Sequence, residues 1–432
     1  MRTNQTQTIG PSLNIMLVII MLLPWLSPAQ NSTKGNLVIV GGGLEPDNHA
    51  IFSTLISLAG GTDKATFAVI PSASGTPVQS YIYFRNILKS YGVKPDNIHL
   101  VNIAVMDDDS TLDVNEANWK NNGEDSHLAD LIRNCSCVWF SGGDQLRTTK
   151  TLIRSDGTQT PVLKAVWDVY QNGGVVGGTS AGAAIMSHIM ICGGNSVAAL
   201  TKGVITSYNG DDFPDQDGVL VSTGLGFFPS GIVDQHFNTR ARFGRTSLTL
   251  MHYRESGNYA FGVDENTALI YHAADNTMMV TGAAGVTILN ASDARLTYAG
   301  KFPSIENMVV SYLEEGDSYD FSKGTITSAK GKLLNRGKEH YQSLFQGQDG
   351  LLTSGKTTFR ELITEHLTDN SKNDSVEDIT FISPTVGFRV SLIKTAETEA
   401  FCPEKLHHDH RYTVVNVRMD ITPVHVSVTP IK

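Results

Sequence analysis

Gly174-Val175-Val176-Gly177-Gly178-Thr179-Ser180-Ala181-Gly182 decides the fold. A short apolar run feeds a glycine-flanked serine, and a second apolar stretch, 183–191, follows. The first run predicts a buried strand and the second predicts a helix. The five residues from Gly178 match G-x-S-x-G in a strand–turn–helix setting, the context that a nucleophile elbow requires. A serine on such a turn projects above the strand end, where larger neighbours would collide with it. The backbone N–H of Ala181 then faces the spot where an oxyanion would form. A tight turn without chemistry is the plainer reading. It loses ground because a second glycine loop, Gly142-Gly143, ends a neighbouring predicted strand, and Gly143 can supply the second donor.

The same punctuation recurs on the N-terminal side. Apolar runs at 37–40, 66–70, 99–105 and 137–140 each end in a loop rich in glycine, proline or acidic residues. Between them lie helix-like stretches at 49–58, 79–91, 127–133 and 163–171. Strands alternating with helices predict an α/β fold, a mostly parallel sheet with helices on both faces. Ligands collect at the carboxyl ends of such strands, where every one of these loops falls. Gly41-Gly42-Gly43 fits neither G-x-G-x-x-G nor a P-loop, so dinucleotide binding is not expected.

Downstream, 259–263, 268–272 and 277–280 read as short strands at an antiparallel edge of the same domain. Beyond residue 290 no chemical motif stands out. The stretch 370–378 is polar and reads as a flexible loop, and 413–428 alternates as strands do. The chain therefore divides into a signal peptide (1–29), a catalytic domain (36–290) and a β-rich C-terminal extension (291–432). The signal is read from Arg2, the apolar run 15–23, Pro24 and the small residues Ser27-Pro28-Ala29. It predicts a secreted or periplasmic protein with no membrane span after cleavage.

With a formal net charge of -10, a nucleic-acid partner is not expected. Four cysteines in so long a chain read as ordinary buried thiols rather than a disulfide scaffold. The cluster His407-His408-Asp409-His410 lies far from the serine motif and is read as incidental, so no metal or cofactor is expected.

A serine hydroxyl needs a general base. His236, following the apolar run Gly231-Ile232-Val233, is the candidate, and Arg240, Arg242 and Arg245 come four, six and nine residues after it. Alone, the three arginines would read as a solvated basic helix. Beside an elbow in an acidic protein, they read as a clamp for substrate carboxylates.

Together, the stretches 177–186, 141–145 and 234–245 resemble the cyanophycinase family of serine peptidases, which is related to aspartyl dipeptidase. The resemblance covers about 36–290, and the arginine spacing after His236 is its most discriminating part. It implies a class I glutamine amidotransferase-like fold and a homodimer. It also implies hydrolysis of cyanophycin, a poly-aspartate carrying arginine on its side-chain carboxyls, to β-Asp-Arg dipeptides. Ser180 would be the nucleophile and His236 the base. Gln145, Asp234, Gln235, Arg240, Arg242 and Arg245 match positions for substrate binding or site support.

One departure stands out. The resemblance implies a triad carboxylate shortly after the nucleophile helix, yet 192–198 holds none. Asn195 is the expected stand-in, with a carboxylate from 211–217 or Glu265 as the other options. Two alternatives to cyanophycin hydrolysis remain open. One is a dipeptidase or isoaspartyl peptidase acting on small peptides. The other is a binding protein that has lost the triad acid. An amidotransferase is disfavoured, because that chemistry uses cysteine where this elbow has serine.

Overall fold

The computed structural model describes residues 35–208, 213–345, 347, 351–353, 358–405 and 411–427. The signal segment 1–29 and the cluster at 407–410 lie outside the described residues. The described residues form one compact unit.

The N-terminal half builds the sheet that the sequence predicts. In order come β1 (Asn36–Val40), α1 (His49–Leu58), β2 (Phe67–Ile70), α2 (Pro77–Ser90) and β3 (Ile98–Leu100). Then follow α3 (Ser126–Arg133), β4 (Cys137–Phe140), α4 (Gln145–Leu152), α5 (Pro161–Gln171) and β5 (Val175–Thr179). The strands β1, β5, β4, β2 and β3 lie side by side and parallel. Alternate residues face opposite layers. Leu37 and Ile39 pack with α3 and α5, and Val38 and Val40 pack with α1 and α2. Burial on both faces is why these strands read as unbroken apolar runs.

After Ser180 the chain departs from expectation. The helix predicted over 183–191 is a single turn, α6 (Ala181–Ala184), followed by a strand, β6 (Ile189–Gly193). Next come α7 (Ser196–Lys202), β7 (Val204–Ile205), β8 (Val219–Thr223), β9 (Ile232–Asp234) and α8 (Phe243–His252). Then follow β10 (Tyr259–Val263), β11 (Thr267–His272), β12 (Thr277–Gly282) and β13 (Gly285–Asn290). β11 and β12 extend the first sheet antiparallel beside β1. β10 instead runs parallel to β9 in a second sheet.

The C-terminal region mostly continues that second sheet. It contains β14 (Arg295–Ala299), β15 (Phe302–Glu314), β16 (Ser318–Asp320), β17 (Thr325–Thr327) and β18 (Lys332–Leu334). Of these, β16 and β17 extend the first sheet beyond β12. After these come α9 (Phe359–Ile363), β19 (Ser375–Ser383), β20 (Val386–Ile393), β21 (Glu399–Pro403) and β22 (Thr413–His425). β13 pairs with β15 along six residues, and β15 pairs with β22. The boundary expected at 290/291 thus falls inside a ladder, and the extension shares one apolar core with α7, α8 and β9. The stretch 370–378 is not a loose loop: Asn370 and Asn373 are buried, with their amides donating to the Ser343 carbonyl.

The described cysteines are free thiols, three of them buried. Among the described residues, no helix is long and apolar enough to cross a membrane.

Candidate active site

Ser180 sits where β5 gives way to α6, with φ 55° and ψ -110°. A non-glycine residue in that region carries backbone strain, as an elbow serine does. The flanking glycines are needed for space. A Cβ on Gly178 would lie 2.7 Å from the Gly182 carbonyl oxygen, and one on Gly182 would lie 2.4 Å from that of Phe140. The Ser180 N–H is taken by the Val40 carbonyl at 3.0 Å, so it is not an oxyanion donor. Ala181 opens α6, and its N–H has no acceptor within that helix. The Gly142-Gly143 loop lies beside the nucleophile: a Cβ on Gly142 would be 3.3 Å from that of Ser180. The loop is pinned by the Asp144 N–H donating to the Ala73 carbonyl.

Ser180 Oγ lies 2.8 Å from Nε2 of His236. Nδ1 of the same ring lies 2.5 Å from Oε1 of Glu265. Asn195, the residue expected at that place, does something else: its side chain caps α7 by accepting the Ala198 N–H at 2.8 Å. Glu265 reaches the ring because it follows β10, the strand beside β9, which leads to His236. Of the acidic insert, Asp211 and Asp212 lie outside the described residues, Asp215 accepts the Gly194 N–H, and Asp217 pairs with Lys202.

Gly41-Gly42-Gly43 cradles this pair. The Gly41 carbonyl accepts the His236 N–H. A Cβ on Gly42 would sit 2.2 Å from Cε1 of the imidazole, and one on Gly43 would sit 3.1 Å from Cβ of Glu265. The Asn266 N–H donates to the Gly42 carbonyl, holding the Glu265 turn against the cradle. The triple glycine was therefore a site signal that phosphate-loop patterns do not describe. Burial holds the His236 imidazole below its usual range, and Arg240 and Arg242 add to this against the opposing Glu265 hydrogen bond. A ring that stays neutral near pH 7 is fit to accept a proton.

The arginines have unequal roles. Arg245 is buried, donates twice to Asp234 and once to the Gly194 carbonyl, and so works inside the fold rather than as a clamp. Asp234 also accepts from Thr246 Oγ1 at 2.6 Å. Burial would push the Asp234 carboxyl up, but Arg245 and Arg242 outweigh it and hold it low. Arg242 donates to the Gln235 carbonyl at 2.6 Å, and burial together with Arg245 pushes its guanidinium down to about 9. Arg240 is exposed and has no ion pair among the described residues. Gln145 Nε2 donates to the carbonyls of Ile191 and Cys192. Oε1 of Gln235 is buried and has no hydrogen-bond partner among the described residues.

Two cavities flank Ser180. One, about 230 Å³, is lined by Asp144, Gln145, Asp215, Gln235 and Arg242. The other, about 480 Å³, contains His236. Both share Gly143, Ser180 and Arg240. The C-terminal extension braces the site from behind. Asp264 accepts from the Asn238 N–H and from the Tyr312 hydroxyl of β15. Phe359 packs its ring 4.0 Å from that of Phe243.

The family profile described as Peptidase family S51 matches residues 37–279. A cyanophycinase from Geminocystis herdmanii (strain PCC 6308) is 32% identical over 291 residues, covering 66% of this chain and 93% of the relative. A cyanophycinase from Synechococcus elongatus is 30% identical over 299 residues, covering 67% and 81%. Among solved structures, a peptidase from an acI-B1 Actinobacterium superposes with a TM-score of 0.45 at 20% identity, over 68% of this chain and 99% of that one. The resemblance seen in the motifs thus extends along the chain as overall similarity, and this protein belongs to peptidase family S51 as a serine-type peptidase of the cyanophycinase-like kind.

Proposed function

We propose that this peptidase hydrolyses cyanophycin to β-Asp-Arg dipeptides through an acyl-enzyme on Ser180. The serine oxygen attacks the scissile carbonyl while His236 takes its proton. The imidazolium then gives that proton to the leaving amine, the C–N bond breaks, and water resolves the ester by the same route. Glu265 fixes the ring tautomer and stabilises the imidazolium, the role for which Asn195 was the expected candidate. The N–H groups of Ala181 and Gly143 hold the oxyanion.

The charged cavity takes the acyl-side aspartyl unit. Arg240, which has no ion pair among the described residues, and Arg242 line it and face the free α-carboxylate of the arginine that this unit carries. Oε1 of Gln235 awaits a donor, since leaving such an atom unpaired costs about 1–3 kcal/mol. Asp144 and Asp215 offer negative charge to a substrate cation. Arg245 and Asp234 support the cavity floor. Residues 36–290 carry every group in this chemistry and 291–432 brace them. The segment 1–29, read as a secretory signal, directs the enzyme out of the cytoplasm.

The observation that carries the proposal is the unbroken relay from Ser180 through His236 to Glu265, at 2.8 and 2.5 Å, beside the arginine-lined cavity. Ser180→Ala tests it. The variant should stay folded and release no β-Asp-Arg from the polymer, and retained release would overturn the reading.

A further inference from the structure

Three side chains able to hold a metal meet in the C-terminal extension. His340 lies in the loop after β18, Asp369 in the turn after α9, and Cys402 in β21. The backbone brings them together. β18 pairs with β21, which sets Leu333 opposite Cys402, and the Asn335 N–H donates to the Ala400 carbonyl. The Tyr341 N–H donates to the Asp369 carbonyl at 3.0 Å, tying the His340 loop to the turn. Nδ1 of His340 lies 3.1 Å from Oδ2 of Asp369 and 4.0 Å from Sγ of Cys402. The three ligand atoms all fall within 4.8 Å of one another. In a tetrahedral zinc site the ligand atoms stand about 3.3–3.6 Å apart, given metal–ligand bonds of about 2.0–2.3 Å. Small rotations of the exposed His340 ring and the Cys402 side chain reach that spacing.

The charges around the cluster call for a cation. Asp369 is fully buried, and its one ion-pair partner among the described residues is His340. Its Oδ1 accepts from the His340 backbone N–H and the Asn335 amide. Its Oδ2 accepts from the Tyr412 hydroxyl at 2.7 Å and keeps an acceptor position toward His340. The His340 ring meets acceptors at both nitrogens, the carboxylate at Nδ1 and the Glu404 carbonyl 3.5 Å from Nε2. A neutral imidazole has a single N–H to share between them. With that N–H turned to Glu404, the Nδ1 lone pair faces the carboxylate and the sulfur, and a metal ion between the three removes the repulsion. A backbone carbonyl at the far nitrogen is the usual partner of a metal-bound imidazole. Thiolate, imidazole and one carboxylate suit zinc, whereas calcium and magnesium take oxygen ligands.

We infer that Nδ1 of His340, Oδ2 of Asp369 and Sγ of Cys402 form a zinc site that clips three segments of the extension together, with water in the fourth position. Cys402 gives its thiol proton to solvent as the sulfur–zinc bond forms, so the step needs no oxidant or reductant. None of the three residues lines either cavity beside Ser180. The ion therefore stabilises the extension and takes no part in peptide hydrolysis, and the inference does not rest on the proposed substrate.

The experiment titrates the chelator-stripped whole chain with zinc chloride, and with magnesium chloride as the control. It reads the metal retained per chain after desalting, the thermal midpoint, and β-Asp-Arg release. The wild type should retain one zinc ion per chain. At about a hundredfold excess of zinc over its dissociation constant, Tm should rise by about 3 °C. Magnesium should do neither, and dipeptide release should be the same with and without zinc. His340→Ala changes an exposed side chain, so the fold tolerates it, and both retention and the Tm shift should disappear. Cys402→Ser should behave likewise. Replacing His407, His408 and His410 together by alanine should preserve both. No zinc retained by the wild type, an equal Tm shift with magnesium, or equal retention and shift in a folded His340→Ala would overturn the site. Loss of zinc from the triple variant would also overturn it, placing the ion on that histidine tract instead. A dipeptide release that depends on zinc would contradict the purely stabilising role.

Discussion

Replacing Glu265 by glutamine probes the relay at its outer end. A carboxylate can only accept at Nδ1, so Glu265 keeps the imidazole proton there and leaves the Nε2 lone pair toward Ser180 Oγ, 2.8 Å away. A carboxamide of the same shape can turn its NH₂ toward the ring. It then favours the tautomer protonated at Nε2, which cannot take the serine proton. In a Ser-His-Asp site that fault costs about 10⁴ in kcat. The Glu265 side chain is 34% exposed, so water competes for the ring and softens the penalty. The loss expected is about 10³-fold, or ~4 kcal/mol at about 1.4 kcal/mol per tenfold. Asn195→Ala is the control. It removes the cap of α7, with a stability cost of about 1 kcal/mol, and leaves kcat within a few-fold. Steady-state dipeptide release and a thermal melt of each variant read both effects. Near-wild-type kcat in Glu265→Gln, or a thousandfold loss in a folded Asn195→Ala, would refute the reasoning.

Three further outcomes follow from the site's charges. His236 must be neutral to act as base and is held below the usual imidazole range, so kcat/KM should fall on an acid limb with its midpoint below about pH 6.5. Arg240 helps to hold it there, so Arg240→Gln should move that limb to higher pH, and an unmoved limb would count against the pairing. Arg245→Ala strips the buried Asp234 of its two-point partner and should cost about 3–5 kcal/mol in urea unfolding. Arg240→Ala should instead leave stability within about 0.5 kcal/mol and raise KM, and equal destabilisation by the two would contradict their separate roles. Burial pushes the Asp264 carboxyl up to about 7. The native state keeps this proton while the unfolded chain loses it from about pH 4, so this group's contribution to stability falls as pH rises through that window. Asp264→Asn should therefore shrink the stability difference between pH 5 and pH 8, and an unchanged difference would show that Asp264 does not titrate this way.

The parallel sheet was legible because its strands are buried on both faces and end in glycine. β1, β2, β4 and β5 appear as apolar runs, and α1 follows its own periodicity. α4 was missed because Gln145, Thr148, Thr149 and Thr151 are buried through hydrogen bonds, so no apolar stripe marks it. Residues 183–191 read as one helix because the run contains no glycine or proline between α6 and β6. The second sheet was not legible, since β15 meets β22 through register across about a hundred residues. Ser180, His236 and the arginine group stood out by spacing. Glu265 was only one option among several, because its place at the ring depends on β10 lying beside β9 rather than on any local motif. The division of labour among the arginines depends on burial, which spacing alone does not reveal.

The most direct test of the account is release of β-Asp-Arg from cyanophycin by the wild type and by Ser180→Ala, with folding of both checked by a thermal melt. The account predicts dipeptide release by the wild type and none from an equally folded variant. Equal release by both, or an inert wild type in which a serine-directed phosphonate leaves Ser180 unmodified, would contradict it.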